Sequence, residues 1–194
     1  SKNKKKRIGY FSADFHGNHA LTSSFPSIIS SHDATKFEIY IYSFTSNKDK
    51  YTQIYKNFAT VFKDIKNLTE EETIKLVRKD NLDIAVDLMG YTKKSRTFIF
   101  SNRVAPIQIN FLGYPGTMGS EAYNYILSDE IIIPKEFEKF YTEKVLRLPY
   151  FFPPNYRATR NISFKKITRE EFGLPNNAFV FTCFNLNKKI TQKE

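Results

Sequence analysis

Cysteine is nearly absent from this chain, whose 194 residues contain only Cys183. A single thiol cannot form an internal disulfide, which argues against a disulfide-stapled secreted domain, and its apolar neighbours predict an inert, buried side chain. Long apolar runs are missing as well, and no apolar stretch follows the lysine-rich start. We therefore expect neither a membrane span nor a signal peptide, and a cytoplasmic location.

What the chain does contain is ample core material, since 41% of its residues are hydrophobic and 16% are aromatic. A length of 194 residues suits one good core or two small ones, because domains usually run to about 100–200 residues. The formal charge is +10, and half of that excess lies in the first seven residues. We predict a basic tail over residues 1–6 in front of a mildly basic globular body.

The hydrophobic pattern alternates between short β-branched or aromatic segments and amphipathic ones. Thr69 and Glu72 have the spacing of a capping box at a helix start. Strands are predicted over residues 7–12, 37–44, 61–62, 83–89, 106–112, 125–127 and 144–148, and helices over 20–31, 46–58, from 69 onwards and over 93–103. This alternation predicts an α/β fold with a largely parallel sheet, formed by residues 7–148.

Composition changes after Leu148, where prolines interrupt regular structure. We predict a linker over residues 149–177 and an apolar strand over 178–184. Because a strand needs neighbours, we expect residues 178–194 to begin a second α/β lobe that is truncated in this sequence.

Three stretches at predicted strand ends have residue types that suit binding better than packing. Ligands of open α/β sheets bind at the carboxyl ends of strands. The first stretch, residues 14–19, follows the first strand and ends at His19, whose imidazole could hydrogen-bond a sugar or hydroxyl or act as a general base. A loop histidine that caps a helix is the alternative. His32 lies in a polar turn and is predicted to be exposed.

The second stretch is glycine-rich and covers residues 112–119. Its glycines allow the backbone to approach a ligand and to point N–H groups at oxygen atoms, although a simple glycine-rich turn explains the pattern equally well. The spacing matches neither a dinucleotide-binding fingerprint nor a P-loop. In the third stretch, residues 87–92, Tyr91 and Thr92 offer hydroxyls to a cleft.

Metal and hydrolase chemistry are not favoured by the sequence. The three histidines and one cysteine have no zinc-site spacing, and the G-x-S-x-G signature of serine hydrolases is missing. We expect no metal.

Five segments, taken in order, resemble the catalytic region of the O-GlcNAc transferase family: RIGYFSADFHGNHA, DLMGYT, APIQINFLGYPGTMGSEAYNYILSDE, EKVLRLP and FVFTCFNLNKKIT. The API-Q-x-x-x-LGYPGT-x-G element is the most specific of them. The chain looks most similar to bacterial members, because the connection between the lobes is short.

The resemblance implies a Rossmann-like lobe, the N-terminal half of a GT-B glycosyltransferase. The family transfers N-acetylglucosamine from UDP-GlcNAc, with inversion, to Ser or Thr hydroxyls of proteins, usually behind tetratricopeptide repeats. A nucleotide sugar and a protein acceptor are therefore the implied partners. The 194 residues alone are not expected to glycosylate, because most nucleotide contacts of the family lie in its second lobe.

The resemblance also implies roles for single residues. His19 matches the family's essential histidine near the reacting sugar, and Lys189 matches the lysine that pairs with the UDP diphosphate. Candidate substrate-binding residues are Leu112, Gly113, Tyr114, Pro115, Gly116, Thr117, Tyr91 and Thr92.

Two alternatives stay open at this point. A related transferase could use GDP-fucose or UDP-glucose, because donor choice depends on the second lobe. From a different class, the chain could be a non-catalytic RNA- or protein-binding module. RNA binding is less favoured, because much of the excess charge is terminal rather than spread over a basic face.

Overall fold

The computed structural model describes residues 4–17, 25–153 and 163–183. Residues 1–159 and 160–194 form two separate units. Within the described ranges, every helix is too short or too polar to cross a lipid bilayer.

The first unit is an α/β fold of seven strands. The strands are β1 (Lys6–Ser12), β2 (Phe37–Ser43), β3 (Val61–Asp64), β4 (Ile84–Asp87), β5 (Ile107–Phe111), β6 (Tyr125–Ser128) and β7 (Lys144–Arg147). The helices are α1 (Phe25–Ser30), α2 (Lys50–Phe58), α3 (Glu70–Asp80) and α4 (Thr97–Ser101), and a 3₁₀-helix covers Lys135–Phe140.

The strands form one sheet in the order β3-β2-β1-β4-β5-β6-β7, and every pair in it is parallel. This confirms the predicted fold class. Apolar clusters cover both faces of the sheet, which explains why the central strands are nearly continuous apolar runs. The chain builds β2 and β3 on one side of β1 and then returns to place β4 on the other side. The loops after β1 and β4 therefore diverge, and a crevice opens at this switch point.

Capping groups fix the starts of the two longer helices. At α3 the Thr69 Oγ1 accepts from the Glu72 N–H (3.2 Å) and a Glu72 carboxylate oxygen accepts from the Thr69 N–H (2.8 Å), as the sequence predicts. The helix predicted from residue 46 begins later, because Asp49 caps α2 through the N–H groups of Tyr51 and Thr52.

The helix predicted over residues 93–103 is shortened to the five residues of α4. Lys94 has a left-handed backbone (φ 70°), which interrupts a helix. The Thr92 hydroxyl donates to the Met89 carbonyl (2.8 Å) and closes a local turn instead.

The expectation that His32 is exposed is wrong. Its ring is half-buried, its Nε2 lies 2.8 Å from the Tyr10 hydroxyl, and it contacts the Phe37 ring edge-on. Burial lowers the His32 pKa, because desolvation disfavours the imidazolium. The turn before β2 is thus closed by packing that the polar sequence SSHD does not reveal.

The first unit continues beyond the predicted boundary at Leu148. Phe152 is buried against Phe111, with ring centroids 5.8 Å apart, and its N–H donates to the Asp129 carboxylate (2.7 Å).

The second unit contains a 3₁₀-helix over Glu170–Phe172. The strand predicted over 178–184 is not formed in its described part, residues 178–183. No neighbouring strand of this unit is present among residues 163–183 to pair with it, and Phe179 and Phe181 are exposed. Cys183 is exposed too, so the predicted buried thiol is wrong.

Candidate functional site

A cavity of about 270 Å³ lies at the carboxyl ends of β1, β4 and β5. The residues that line it are Asp14, Met89, Thr92, Lys93, Lys94 and Gly113. The structure thus brings parts of all three predicted stretches to the switch point of the sheet. Two lysines and one aspartate give this cavity an excess of positive charge, which favours an anionic ligand.

The loop after β1 is anchored to the start of α2. The Gly17 N–H donates to the Asp49 carboxylate (2.7 Å), and the Thr52 hydroxyl donates to the Phe15 carbonyl (2.9 Å). His16 is buried, and its Nε2 lies 3.7 Å from an Asp14 carboxylate oxygen. The loop is therefore held firmly up to Gly17. His19 and Lys189 lie outside the described residues.

Asp87, the last residue of β4, shapes the turn that follows. One carboxylate oxygen accepts from the N–H groups of Met89 (2.8 Å) and Gly90 (3.1 Å), and the other accepts from the Tyr123 hydroxyl (2.7 Å). Burial still raises the pKa of Asp87, because the cost of desolvating the carboxylate exceeds the effect of these three donors.

The raised pKa predicts how Asp87→Asn changes stability with pH. A carboxyl group whose pKa is higher in the folded state stabilises that state fully below about pH 4, and this contribution is lost as pH rises through the folded pKa. The stability of the Asn variant relative to the native protein should therefore rise from pH 4 towards pH 8. Urea unfolding at several pH values measures this, and a difference independent of pH would contradict it.

The glycine-rich loop crosses closely over the end of β4. Leu112 has a left-handed backbone (φ 77°), an unusual conformation for a residue with a side chain. A Cβ atom on Gly113 would lie 2.1 Å from the Leu88 carbonyl oxygen. Only glycine allows this approach. The Leu112 side chain packs in the core, so only its backbone is left to contact a ligand.

Two buried polar side chains, Asn110 and Glu143, hold the glycine-rich loop in place through hydrogen bonds. The Asn110 amide donates to the carbonyls of Tyr114 (3.0 Å) and Gly116 (3.2 Å). Glu143 precedes β7, and its carboxylate accepts from the Thr117 hydroxyl (2.7 Å) and the Met118 N–H (2.6 Å). Among the described residues, no cation lies within ion-pair distance of this buried carboxylate.

Tyr91 connects the third stretch to the glycine-rich loop. Its hydroxyl donates to the Met118 carbonyl (2.8 Å), and its ring meets Tyr114 edge-on with centroids 5.6 Å apart. The Tyr91 hydroxyl therefore links two loops, whereas the sequence predicted that it would face a cleft. Thr92 does line the cavity.

Sequence analysis missed Asn110, Glu143 and Asp49. Asn110 is a polar residue inside the apolar strand PIQINFL, a signal that could have marked it as a buried hydrogen-bonding group. Glu143 and Asp49 stand in charged surroundings where a single sequence gives no such signal.

An all-parallel sheet in this strand order, with a basic cavity and a glycine-rich loop at its switch point, defines a Rossmann-like ligand-binding lobe. Residues 1–157 match the model of Glycosyl transferase family 41, and the chain belongs to that family.

Similar proteins are found in a plant and in an animal. The chain is 33% identical over 187 residues to a probable UDP-N-acetylglucosamine–peptide N-acetylglucosaminyltransferase, SEC, of Arabidopsis thaliana, over 94% of this chain and 19% of that protein. It is 30% identical over 169 residues to the Caenorhabditis elegans UDP-N-acetylglucosamine–peptide N-acetylglucosaminyltransferase, over 85% of this chain and 15% of that protein. The chain thus spans less than a fifth of either relative.

A solved structure of a mutant O-GlcNAc transferase from Thermobaculum terrenum is similar to this fold. It matches with a TM-score of 0.74 at 32% identity, over 78% of this chain and 29% of that chain. These findings confirm the resemblance to the O-GlcNAc transferase family.

Proposed function

We propose that this chain is the first catalytic lobe of a cytoplasmic, inverting protein O-GlcNAc transferase, which transfers N-acetylglucosamine from UDP-GlcNAc to Ser or Thr hydroxyls of proteins. The observation that carries the proposal is the cavity at the switch point, where the loops after β1 and β4 meet Gly113. The names of the relatives supply the donor and the acceptor class.

The glycine-rich loop supplies donors to the substrate in this proposal. Within the described residues, the backbone N–H groups of Tyr114, Gly116 and Thr117 donate to no protein acceptor. They remain free to bind sugar or phosphate oxygens. The Thr117 side chain has a different role, because its hydroxyl is held by Glu143.

The proposed chemistry assigns the two residues outside the described ranges by resemblance. In this proposal His19 corresponds to the family's histidine near the reacting sugar and accepts the proton of the acceptor hydroxyl. Lys189 pairs with the diphosphate and stabilises the negative charge that develops on the departing UDP.

Donor choice is tested with the full-length protein and a Ser/Thr peptide library. Transfer from UDP-GlcNAc, UDP-glucose and GDP-fucose is compared by mass spectrometry, and the anomeric configuration of the product is read by NMR. We expect transfer from UDP-GlcNAc with inversion. Transfer from another donor alone would favour the related transferases, and salt-sensitive RNA binding without transfer would favour a binding module.

His19→Ala in the full-length protein is expected to lower kcat by about 10²- to 10⁴-fold, the usual contribution of general acid–base catalysis. His32→Gln is the matched control, because His32 precedes β2 and thus lies at the amino end of the sheet. Circular dichroism checks that both variants fold. Unchanged turnover of the His19 variant would remove this residue from the chemistry.

A further inference from the structure

Lys94, which lines the candidate functional site, has a backbone conformation that suits glycine better than lysine. The Ser95 N–H donates to the Thr92 carbonyl (3.1 Å), which closes a β-turn with Lys93 and Lys94 as its two central residues. Lys94 is the third residue of this turn and has a φ of 70°. Turns with a positive φ at this position normally have glycine there, because a Cβ atom is disfavoured in the left-handed region. Strained residues of this kind gather at ligand sites, so we looked for a role of the Lys94 side chain in the cavity.

The two central residues of this turn carry positive charge that no acidic side chain neutralises. Lys93 and Lys94 both line the cavity of about 270 Å³, and both are exposed. Among the described residues, neither ammonium lies within ion-pair distance of a carboxylate. Asp14, which supplies the carboxylate of the cavity lining, lies beside His16 instead, 3.7 Å from its Nε2. The turn therefore presents two adjacent ammonium groups that attract a negative charge of the substrate.

The proposed function leaves these two lysines for the acceptor rather than for the donor. In it, the diphosphate of the donor pairs with Lys189, so the remaining negative charge can come only from the acceptor protein, on Asp or Glu side chains. An extended peptide rises about 3.3 Å per residue, so a carboxylate within three residues of the acceptor hydroxyl stays within about 10 Å of it, which is the Debye length at about 0.1 M salt. Attraction to the lysines at this cavity is effective over that range.

We propose that Lys93 and Lys94 make the site selective for acidic acceptors, namely protein segments with Asp or Glu close to the glycosylated Ser or Thr. The inference rests on the proposed transferase function and adds an acceptor preference to it. The two lysines are specificity-determining residues: they attract the acceptor carboxylate and take no part in the transfer of the sugar. The left-handed turn keeps the second lysine at the cavity beside the first.

The test measures kcat/KM of the full-length protein for pairs of acceptor peptides that differ only by Asp or Asn beside the acceptor Ser, on either side of it. We expect the native protein to prefer the Asp peptides, and this preference should shrink between about 0.05 and 0.5 M NaCl because salt screens the attraction. Lys93→Met and Lys94→Met should each lower the Asp-to-Asn ratio about fivefold, the upper value for an exposed ion pair. Lys79→Met is the charge-matched control and should keep the native ratio, because Lys79 ends α3 at the opposite, amino end of β4.

Lys94→Gly separates selectivity from folding. Glycine relieves the left-handed backbone, so the urea midpoint of this variant should lie above that of Lys94→Met, while its Asp-to-Asn ratio should fall just as far. A lysine with a merely structural role would not change this ratio.

The outcomes distinguish the acceptor preference from the proposed function. Equal use of Asp and Asn peptides by the native protein, or native ratios in both Met variants, would overturn the preference and leave UDP-GlcNAc transfer intact. A raised KM for UDP-GlcNAc at an unchanged peptide ratio would assign the lysines to the donor and overturn it as well. Absence of UDP-GlcNAc transfer to every peptide would overturn the proposed function itself.

Discussion

Gly113→Ala is expected to destabilise the first unit by about 3 kcal/mol, at the upper end of the usual cost of overpacking. The added methyl group would lie 2.1 Å from the Leu88 carbonyl oxygen and 3.2 Å from the Met89 Cα. Both are backbone atoms at the end of β4, so no side chain can rotate away. Either the strand end or the loop must move, and urea unfolding measures the cost.

The same variant should lower the UDP-GlcNAc transfer that we propose for the full-length protein by about 10²-fold, because a 1 Å displacement of positioning groups can have that effect. Gly173→Ala is the control. Gly173 has a left-handed backbone (φ 63°), and no atom lies within 4 Å of a Cβ atom added there. The Gly173→Ala variant should be destabilised by about 1 kcal/mol of backbone strain, and its turnover should be unchanged. Equal effects of the two variants would contradict the close approach as the cause.

Glu143→Ala is expected to cost about 3 kcal/mol and to lower turnover. The change leaves the Thr117 hydroxyl and the Met118 N–H without their acceptor, and hydrogen bonds to a charged group contribute about 1.5–3 kcal/mol each. The glycine-rich loop then loses the hydrogen bonds that position it, and its unused backbone N–H groups lose their alignment. Denaturant unfolding and kinetics of the full-length protein measure the two losses separately.

Glu143→Gln gives a graded comparison, because its amide oxygen still accepts from the Met118 N–H. We expect it to cost about 1 kcal/mol. Glu136→Gln changes an exposed glutamate of the 3₁₀-helix and should stay within about 0.5 kcal/mol of the native protein. If Glu143→Ala behaves like the Glu136 variant, Glu143 does not position the loop.

Strand and helix types followed from local pattern, and the parallel sheet followed from their alternation. The capping box at Thr69 was predictable because both partners lie within one turn of sequence. The late start of α4 was not, because the left-handed backbone at Lys94 is set by the turn around Met89 and Thr92. No strand forms over the described residues 178–183 for a related reason, since an apolar segment becomes a strand only beside a partner.

The sequence predicted the three loops of the candidate site, but not the side chains that hold the glycine-rich loop in place. The glycines at 113, 116 and 119 marked the loop as a place where the backbone can turn sharply or approach a ligand. Asn110 holds the loop across only 4 to 6 positions, and its place in an apolar strand was a usable signal. Glu143 holds it across 25 to 26 positions, and such a distance carries no local signal. Tyr91 was found, yet its hydroxyl serves the loop and not the cavity.

The interior position of β1 in the sheet has a consequence for biosynthesis. Phe11 pairs with Tyr42 on one side and with Asp87 on the other. At a synthesis rate of about 5–20 residues per second, β4 leaves the ribosome roughly 4–15 s after β1. Throughout that interval the edge of β1 that later pairs with β4 has no neighbour, and we expect chaperones that shield such edges to raise the yield of folded protein.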